Sequence, residues 1–295
     1  MVLSHDPNWL RAGNWFQEVD YADLAIVGVG ASKTSLTPNR VHKTPAAIRE
    51  ALLKYSTYSA STDTDLSVAI SAGDLGDVKN PDNQDSAIKQ LSNLYQRAET
   101  VILLGGDNSI TYSGLAALFD SYEPAKTGLI TLDAHHDLRD GYSNGSPIRQ
   151  LLDQGLPGKN IVQIGINDFA NSKFYADRAK KAGIKVIHRN EFNKSRPEQI
   201  AKRALSALNK CAIIYIDIDM DVCDRSVVPA APAAMPGGIS ADQIRKLIST
   251  LARDRRTKLF DITELDATID SSDQRSTRLA ALLILEIAAA KAGRL

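Results

Sequence analysis

The chain has 295 residues, of which 43% are hydrophobic and 24% are charged, so it is long enough to bury a sizeable core. Lys plus Arg and Asp plus Glu both number 35, and this balance gives no electrostatic reason to expect a nucleic acid or an anionic membrane as a partner. Two cysteines in a chain of this length do not make a disulfide framework, and we expect both thiols to be reduced.

No segment of the sequence resembles a targeting signal or a membrane span. Residues 1–14 contain charged side chains and lack an apolar run, so they do not have the pattern of a signal peptide. The most apolar stretch, residues 279–290, is too short to cross a bilayer and is expected to form a buried helix. We therefore predict a cytoplasmic protein.

Short apolar runs alternate with segments of helical period along most of the chain. The predicted strands are residues 24–29, 68–72, 101–104, 128–132, 161–164, 184–187, 213–216 and 258–262. The predicted helices are residues 46–54, 85–98, 112–118, 172–182, 197–208 and 242–252. The strands are rich in Val, Ile and Leu without polar alternation, as expected when both faces of a sheet are covered. The pattern predicts one α/β domain over residues 1–295 with a mostly parallel central sheet.

Polar clusters follow four of the predicted strands. Residues 105–109 follow the strand at 101–104, and residues 133–137 follow the strand at 128–132. Residues 217–221 follow the strand at 213–216, and Glu264 follows the strand at 258–262. Ligands of open parallel sheets bind at the carboxyl ends of the strands. We therefore expect the functional site at this edge of the sheet.

Two of these clusters have the spacing of metal ligands. Alternate residues of an extended segment project to the same side, so Asp133, His135 and Asp137 can meet at one point, and the acids at 217, 219 and 221 have the same spacing. Burying so many carboxylates without a counter-charge is costly, and a divalent cation would neutralise them. One such cluster alone is as often a solvated loop, but both together favour a metal site. Carboxylates with one imidazole suit Mn²⁺ better than they suit a thiolate-type zinc site.

The order of the motifs resembles the ureohydrolase superfamily, which contains arginases, agmatinases and formimidoylglutamases. The motifs are GGDNSI at 105–110, DAHHDLR at 133–139, SNGSP at 143–147, DMDVCD at 219–224, a Gly-Gly-containing loop at 234–240 and DITELD at 261–266. The resemblance spans essentially the whole chain. It implies a three-layer α/β/α arginase-like fold, two Mn²⁺ ions, a small-molecule substrate and a homo-oligomer that is a trimer or a hexamer.

The resemblance also implies a set of metal ligands, which are Asp133, His135, Asp137, Asp219 and Asp221. Asp217 stands where the family usually has a small polar residue, so we place it outside the ligand set. An alternative register that uses Asp217 and Asp219 loses the match to Asp224. His136 points away from His135 in an extended segment and is expected to be structural.

Two carboxylates are predicted to act in catalysis. Glu264 stands where the family has a glutamate that pairs with the amidinium or guanidinium of the substrate by charge-assisted hydrogen bonds. The alternative for Glu264 is a surface acid near a strand end. Asp137 is predicted to pass a proton to the leaving nitrogen.

Two asparagines stand where the resemblance would place histidines. Asn108 replaces a histidine ligand, and because an amide oxygen binds metals less strongly than imidazole, we expect a weak or absent bond there. Asn144 lies in the loop where arginases carry a proton-transferring histidine, and an amide cannot act as an acid or a base. We assign Asn144 to substrate binding. These departures leave open a catalytically silent relative that serves as a binding protein.

Two arginines favour an acidic substrate. Arg139 follows the ligand motif directly, and its guanidinium would attract a carboxylate and repel a cationic tail such as that of agmatine. Arg149 could assist, although either arginine could instead pair with Asp140 or Asp153. We therefore predict hydrolysis of N-formimidoyl-L-glutamate to glutamate and formamide. A guanidino hydrolase that releases urea is the alternative.

Overall fold

Eight parallel strands form the central sheet of the computed structural model, which describes residues 6–293. Residues 1–5 and 294–295 of the predicted domain lie outside the described residues. The strands are β1 (Ala22–Val29), β2 (Tyr58–Ser59), β3 (Thr64–Asp65), β4 (Ala72–Asp77), β5 (Ala98–Gly105), β6 (Thr127–Leu132), β7 (Ile161–Ile166), β8 (Lys185–His188), β9 (Ile213–Asp219) and β10 (Thr257–Thr263). Strands β2 and β3 form a separate antiparallel pair. The order of the large sheet is β4-β1-β5-β10-β9-β6-β7-β8.

Helices cover both faces of the sheet. They are α1 (Ala12–Trp15), α2 (Thr44–Leu52), α3 (Leu66–Ala69), α4 (Gln84–Leu94), α5 (Ser109–Ala116), α6 (Pro147–Asp153), α7 (Lys173–Ala182), α8 (Pro197–Ala207), α9 (Ala241–Ala252) and α10 (Arg275–Ala292). Helices α1, α2, α8, α9 and α10 contribute to one apolar cluster, and α4 to α7 contribute to the other. In the part of the chain that the structure describes, no helix is both long and apolar enough to cross a bilayer.

Each central strand contributes side chains to both apolar clusters. In β1, Leu24 and Ile26 pack into one cluster, while Ala25 and Val27 pack into the other. Because both sides of the strand are covered by helices, its fully buried positions are apolar, and its one charged residue, Asp23, is only partly buried. This is why the strands appeared in the sequence as unbroken apolar runs, and it confirms the predicted three-layer α/β fold.

Two predicted elements differ from the structure. The strand predicted at 68–72 is wrong, because the residues from Leu66 to Ala69 form α3 and β4 begins only at Ala72. The side chain of Asp65 accepts a hydrogen bond from the backbone N–H of Ser67 at 3.0 Å and so caps the start of this helical turn. The helix predicted at 85–98 ends at Leu94, since Ala98 already begins β5.

The strand order brings the four polar clusters together. Strands β5, β10, β9 and β6 are consecutive neighbours in the middle of the sheet. Ile262 of β10 lies opposite Leu104 on one side and Ile218 on the other, and Ile218 lies opposite Leu132 of β6. The carboxyl ends of the four strands are therefore level. The residues that follow them therefore lie close together, at the end of the sheet where the sequence predicted the functional site.

Candidate active site

A carboxylate–imidazole cluster lies at this edge of the sheet. Ligand atoms of Asp133, His135 and Asp221 are within 4.8 Å of one another. The Nδ1 atom of His135 is 2.9 Å from Oδ2 of Asp221. The backbone N–H of His135 donates to Oδ1 of Asp133 at 2.6 Å, and the N–H of Asp221 donates to Oδ1 of Asp219 at 2.9 Å. Asp133 and Asp219 thus each accept a hydrogen bond from the backbone N–H two residues further on.

The two other predicted ligands border this cluster. Asp219 is buried, and its pKa is raised well above the ordinary value by burial and by the nearby charges of Asp221 and Asp133. Asp137 is also buried, and burial together with the charge of Asp221 raises its pKa to about 6 although His135 lowers it. The structure thus brings all five predicted ligands together, three of them in one compact group and two beside it.

Asp217 lies deeper in the sheet than the predicted ligands. It stands opposite Asp261 of β10, and both of its side-chain oxygens are buried without a hydrogen-bond donor among residues 6–293. Burial and the neighbouring Asp261 raise the pKa of Asp217 well above its ordinary value. A protonated Asp217 would share its proton with Asp261. Its place outside the ligand set stays a prediction.

The donors of the cluster fit a divalent cation. The Oδ2 atom of Asp133 is buried and has no hydrogen-bond partner in the described part of the chain. Burial lowers the pKa of His135, but the carboxylates of Asp221 and Asp133 outweigh it and raise the value to about 12. Without a metal ion, the protonated imidazole of His135 therefore supplies the positive charge that balances these carboxylates. A metal ion bound at the same place would supply that charge instead. An unpaired carboxylate oxygen beside oxygen and imidazole donors is the arrangement expected of a hard or borderline metal site.

Asn108 connects the two predicted catalytic acids. Its side-chain NH₂ donates to Oδ2 of Asp137, and its backbone N–H donates to Oε1 of Glu264 at 2.8 Å. The amide oxygen lies 2.7 Å from the hydroxyl of Thr111 and 3.2 Å from the hydroxyl of Thr263. A carboxylate can only accept, so the NH₂ must face Asp137 and the amide oxygen must face the threonines. This geometry favours the absence of a metal bond at Asn108.

Glu264 is buried at the edge of the cavity in a left-handed backbone conformation with φ of 57°. Its Oε1 atom accepts a second hydrogen bond, from the side-chain NH₂ of Asn144 at 2.8 Å. Burial and the charge of Asp107 raise the pKa of Glu264 to about 8, although the bonds from Asn144 and Asn108 lower it. Asn144 therefore acts on Glu264 directly, while it also lines the cavity as predicted for a substrate-binding residue.

A cavity of about 370 Å³ opens above these residues. Its polar wall includes Asn39, Asn108, His135, His136, Asp137, Arg139, Asn144, Asn171, Ser172, Tyr175, Asp219, Asp221 and Glu264. The volume falls within the range of small-molecule sites. The lining includes the carboxylates of Asp219 and Asp221 and the imidazole of His135, so a ligand in this cavity would meet the candidate metal cluster.

Arg139 is the exposed cation of the cavity wall. Its guanidinium has no hydrogen bond or ion pair to any of residues 6–293. The predicted alternative, pairing with Asp140, is not found, because Asp140 lies 2.8 Å from Arg178. The side chain of Arg139 lies against Gly145, where a Cβ would come within 2.7 Å of its Cδ. The absence of a side chain at Gly145 therefore leaves the space that the side chain of Arg139 occupies beside the cavity.

The predicted substrate contact of Arg149 is not supported by the structure. Its guanidinium pairs with Asp153, and it donates to the backbone oxygens of Arg139 at 3.0 Å and of Gly141 at 2.8 Å. Arg149 is absent from the cavity wall formed by the described residues. The alternative pairing with Asp153 is the one found. From its position on α6, the side chain of Arg149 contacts the backbone of the loop that carries Arg139 and does not reach the cavity.

Sequence reasoning missed the segment after β7. Asn171 accepts a hydrogen bond from the N–H of His136 at 2.9 Å and donates to the oxygen of Ala134 at 2.9 Å. It thus fixes the backbone between the predicted ligands, and it also lines the cavity. His136 has the structural contact expected of it, with its Nδ1 2.7 Å from Oε1 of Gln163, but it borders the cavity as well. The position of residues 167–172 at the end of a central strand was a signal that could have identified them.

The sequence and the fold are similar to those of known proteins. The family model described as the arginase family matches residues 22–290. The formimidoylglutamase of Halalkalibacterium halodurans is 34% identical over 298 residues, which cover 95% of this chain and 92% of that protein. These matches span nearly the entire described structure and include every motif of the site.

Two solved structures share the fold over almost the full chain. The formimidoylglutamase of Bacillus subtilis superposes with a TM-score of 0.91 at 29% identity and covers 99% of this chain and 94% of its own. The formiminoglutamase of Trypanosoma cruzi, solved with Mn²⁺, has a TM-score of 0.86 at 19% identity and covers 97% of this chain and 99% of its own. At that identity the second likeness shows the fold alone.

Proposed function

Because this chain belongs to the arginase family, we propose that it is a hydrolase that cleaves N-formimidoyl-L-glutamate to glutamate and formamide. The reaction adds water across the carbon–nitrogen bond of a linear amidine and releases the amine. The observation that carries the choice of substrate is the unpaired guanidinium of Arg139 beside a cavity floored by the carboxylate–imidazole cluster. The similarity to formimidoylglutamases over 95% of the chain supports it.

We propose that the cluster holds two Mn²⁺ ions. The ligands would be Asp133, His135, Asp137, Asp219 and Asp221, and the donor chemistry and the unpaired oxygen of Asp133 support this assignment. Divalent cations held there supply a water of lowered pKa as the nucleophile and a positive charge next to the amidine. The presence of Mn²⁺ in a protein of the same fold is consistent with this choice of metal.

The side chains around the cluster perform the remaining chemistry. The positive charge of a bound amidinium favours the ionised form of Glu264, which accepts charge-assisted hydrogen bonds from the N–H groups and so orients the reacting carbon. Asp137 accepts the proton of the attacking water and delivers it to the leaving nitrogen. The bond from Asn108 holds Asp137 in place during this transfer. Each role uses a contact or an orientation that the folded chain already provides.

Arg139 discriminates between substrates of opposite charge. A guanidinium at the cavity attracts the carboxylates of a glutamate tail and repels the ammonium group of agmatine. Asp140 does not neutralise the charge of Arg139, because Asp140 is paired with Arg178. An acidic amidine is therefore a better match to this site than a cationic guanidine.

The single domain, the trimeric or hexameric assembly and the cytoplasmic location remain predictions from the sequence and the family resemblance. Analytical ultracentrifugation of the purified chain would test the assembly.

Product analysis would test the proposed function. The purified, Mn²⁺-loaded chain is offered N-formimidoyl-L-glutamate, arginine and agmatine in parallel, and glutamate, formamide and urea are measured. We expect glutamate and formamide from the first substrate and no urea from the other two. Urea release would overturn the choice of substrate in favour of a guanidino hydrolase. Lack of reaction with all three would favour the silent binding protein that Asn108 and Asn144 left open.

A further inference from the structure

We propose that Asn144 is a specificity-determining residue that makes the site select an amidinium over a guanidinium, by occupying one of the two oxygens of Glu264. The inference rests on the proposed function, because it concerns how the same site recognises the reacting end of its substrate. It addresses the head group of the substrate, whereas Arg139 addresses the tail.

The two oxygens of Glu264 have different surroundings. Oε1 accepts hydrogen bonds from the NH₂ of Asn144 and from the backbone N–H of Asn108, both at 2.8 Å. Among residues 6–293, no group donates to Oε2. Glu264 is only 4% exposed and forms part of the cavity wall. One oxygen is therefore satisfied by the protein, and the other is available to a ligand.

The orientation of the Asn144 amide is fixed from its other side. Its Oδ1 atom accepts the backbone N–H of Leu36 at 3.1 Å, and its own N–H donates to the oxygen of Thr34 at 3.0 Å. Because a backbone N–H can only donate, the amide oxygen must face Leu36 and the NH₂ must face Glu264. Rotation of the amide would leave two oxygens opposed and one N–H unpaired.

The segment that orients Asn144 is anchored as well. The hydroxyls of Thr34 and Ser35 donate to Oδ2 of Asp107 at 3.0 and 2.8 Å. Asp107 directly precedes Asn108, which supplies the second donor to Glu264. Both donors on Oε1 thus belong to one connected set of hydrogen bonds, so the occupied oxygen is a built feature of the site.

The number of free acceptors decides which head group fits. The reacting carbon of a formimidoyl group carries one hydrogen and two nitrogens, whereas that of a guanidinium carries a third nitrogen with two more N–H donors. Oε1 of Glu264 already accepts two hydrogen bonds, and the NH₂ group of Asn144 beside it can only donate. On this side of Glu264, the third nitrogen of a guanidinium would therefore place its N–H groups against donors and without a free acceptor, which weakens binding by roughly 5- to 150-fold.

Two small cations test this inference without a substrate tail. Binding of formamidinium and of guanidinium, at concentrations below those that unfold the protein, is measured by calorimetry on the Mn²⁺-loaded chain. We expect the wild-type chain to prefer formamidinium. In Asn144→Ala, Oε1 keeps the hydrogen bond from the backbone N–H of Asn108 and can accept one from the ligand, so the preference should fall by about 5-fold or more. Equal binding of both ions by the wild type, or an unchanged preference in the variant, would overturn the inference.

A second variant and a matched control separate specificity from folding. Asn144→Asp keeps the acceptor for Leu36 but replaces the donor to Glu264 by an acceptor, so it should shift the preference towards guanidinium even if the alanine variant does not fold. Asn190→Ala removes an exposed asparagine whose NH₂ donates to Asp168 outside the cavity wall formed by the described residues, and should leave the preference unchanged. Since binding requires no turnover, failure of the proposed substrate would leave this test intact.

Discussion

Asp137 and Glu264 share a backbone conformation that is unusual for residues other than glycine. Their φ angles are 51° and 57°, in the left-handed region. Neither residue has a turn role that calls for glycine, and both side chains are buried in the same site and bonded to Asn108. Such conformations are tolerated where surrounding contacts impose them, and they cluster at functional sites. The two residues proposed for catalysis are thus also the two that the fold holds under strain at the cavity.

Replacing Glu264 by Gln should abolish most of the activity without loss of the fold. The amide keeps the size of the side chain but removes the charge that binds the amidinium, so kcat/KM should fall by roughly 10- to 150-fold. Steady-state kinetics on N-formimidoyl-L-glutamate would measure the change. Bound metal should remain at the wild-type level, and activity near that of the wild type would contradict the role of Glu264.

The stability of the metal-free chain should fall as the pH rises. Glu264 has a pKa of about 8 in the folded chain against an ordinary value of 4.5, and Asp137 has about 6 against 3.8. Between these values the folded chain binds more protons than the unfolded chain, so the free energy of unfolding decreases with increasing pH. We expect a loss of roughly a few kcal/mol from about pH 5 to pH 8.

Urea unfolding of chelator-treated protein across this pH range would measure the effect. The groups that face Glu264 are the acids Asp107 and Asp221, which raise its pKa, and the donors Asn108 and Asn144, which lower it. Glu264→Gln should make the decline between about pH 5 and pH 8 shallower, because the amide has no proton to release, while Asp137, Asp219 and His135 still contribute to it. A profile that rises with pH would show that the buried acids are paired in a way the structure does not contain.

Asp221→Asn should weaken metal binding. The substitution preserves the shape of the side chain but removes a negative ligand that contacts His135. The variant should lose most of its Mn²⁺ on dialysis, as measured by elemental analysis of the folded protein. Asp177→Asn is a matched control, because Asp177 is an exposed acid that pairs with Lys173 outside the site. Equal metal retention in both variants would argue against the ligand assignment.

Arg139 and Arg149 should respond differently to the same substitution. Arg139→Gln removes the cation of the cavity and should raise the KM for N-formimidoyl-L-glutamate by about 10-fold. Arg149→Gln removes the support of the backbone at Arg139 and Gly141, so it should mainly lower the thermal stability and raise KM less. Kinetics and thermal unfolding of both variants would check this. If Arg149→Gln raised KM more than Arg139→Gln did, Arg149 would have to be assigned to substrate binding after all.

The sequence by itself determined the layers of the fold and the place of the site. Strands buried on both faces have to be apolar, so their runs are visible in the sequence, and the polar residues that follow them mark the carboxyl edge of the sheet. Asp133 and His135 could be recognised in this way because their spacing along one extended segment already places them together. The resemblance of the motifs then identified the family without a structure.

Only the tertiary structure decided which hydrogen bonds connect the residues of the site. Asn108 and Glu264 are 156 residues apart, and Asn144 is 120 residues from Glu264 and 108 from Leu36. The direction in which an amide presents its NH₂ depends on the donors and acceptors that these distant segments bring to it, and spacing along the chain carries no information about them. For the same reason, the sequence could not show that Arg149 contacts the backbone of the loop while Arg139 lines the cavity.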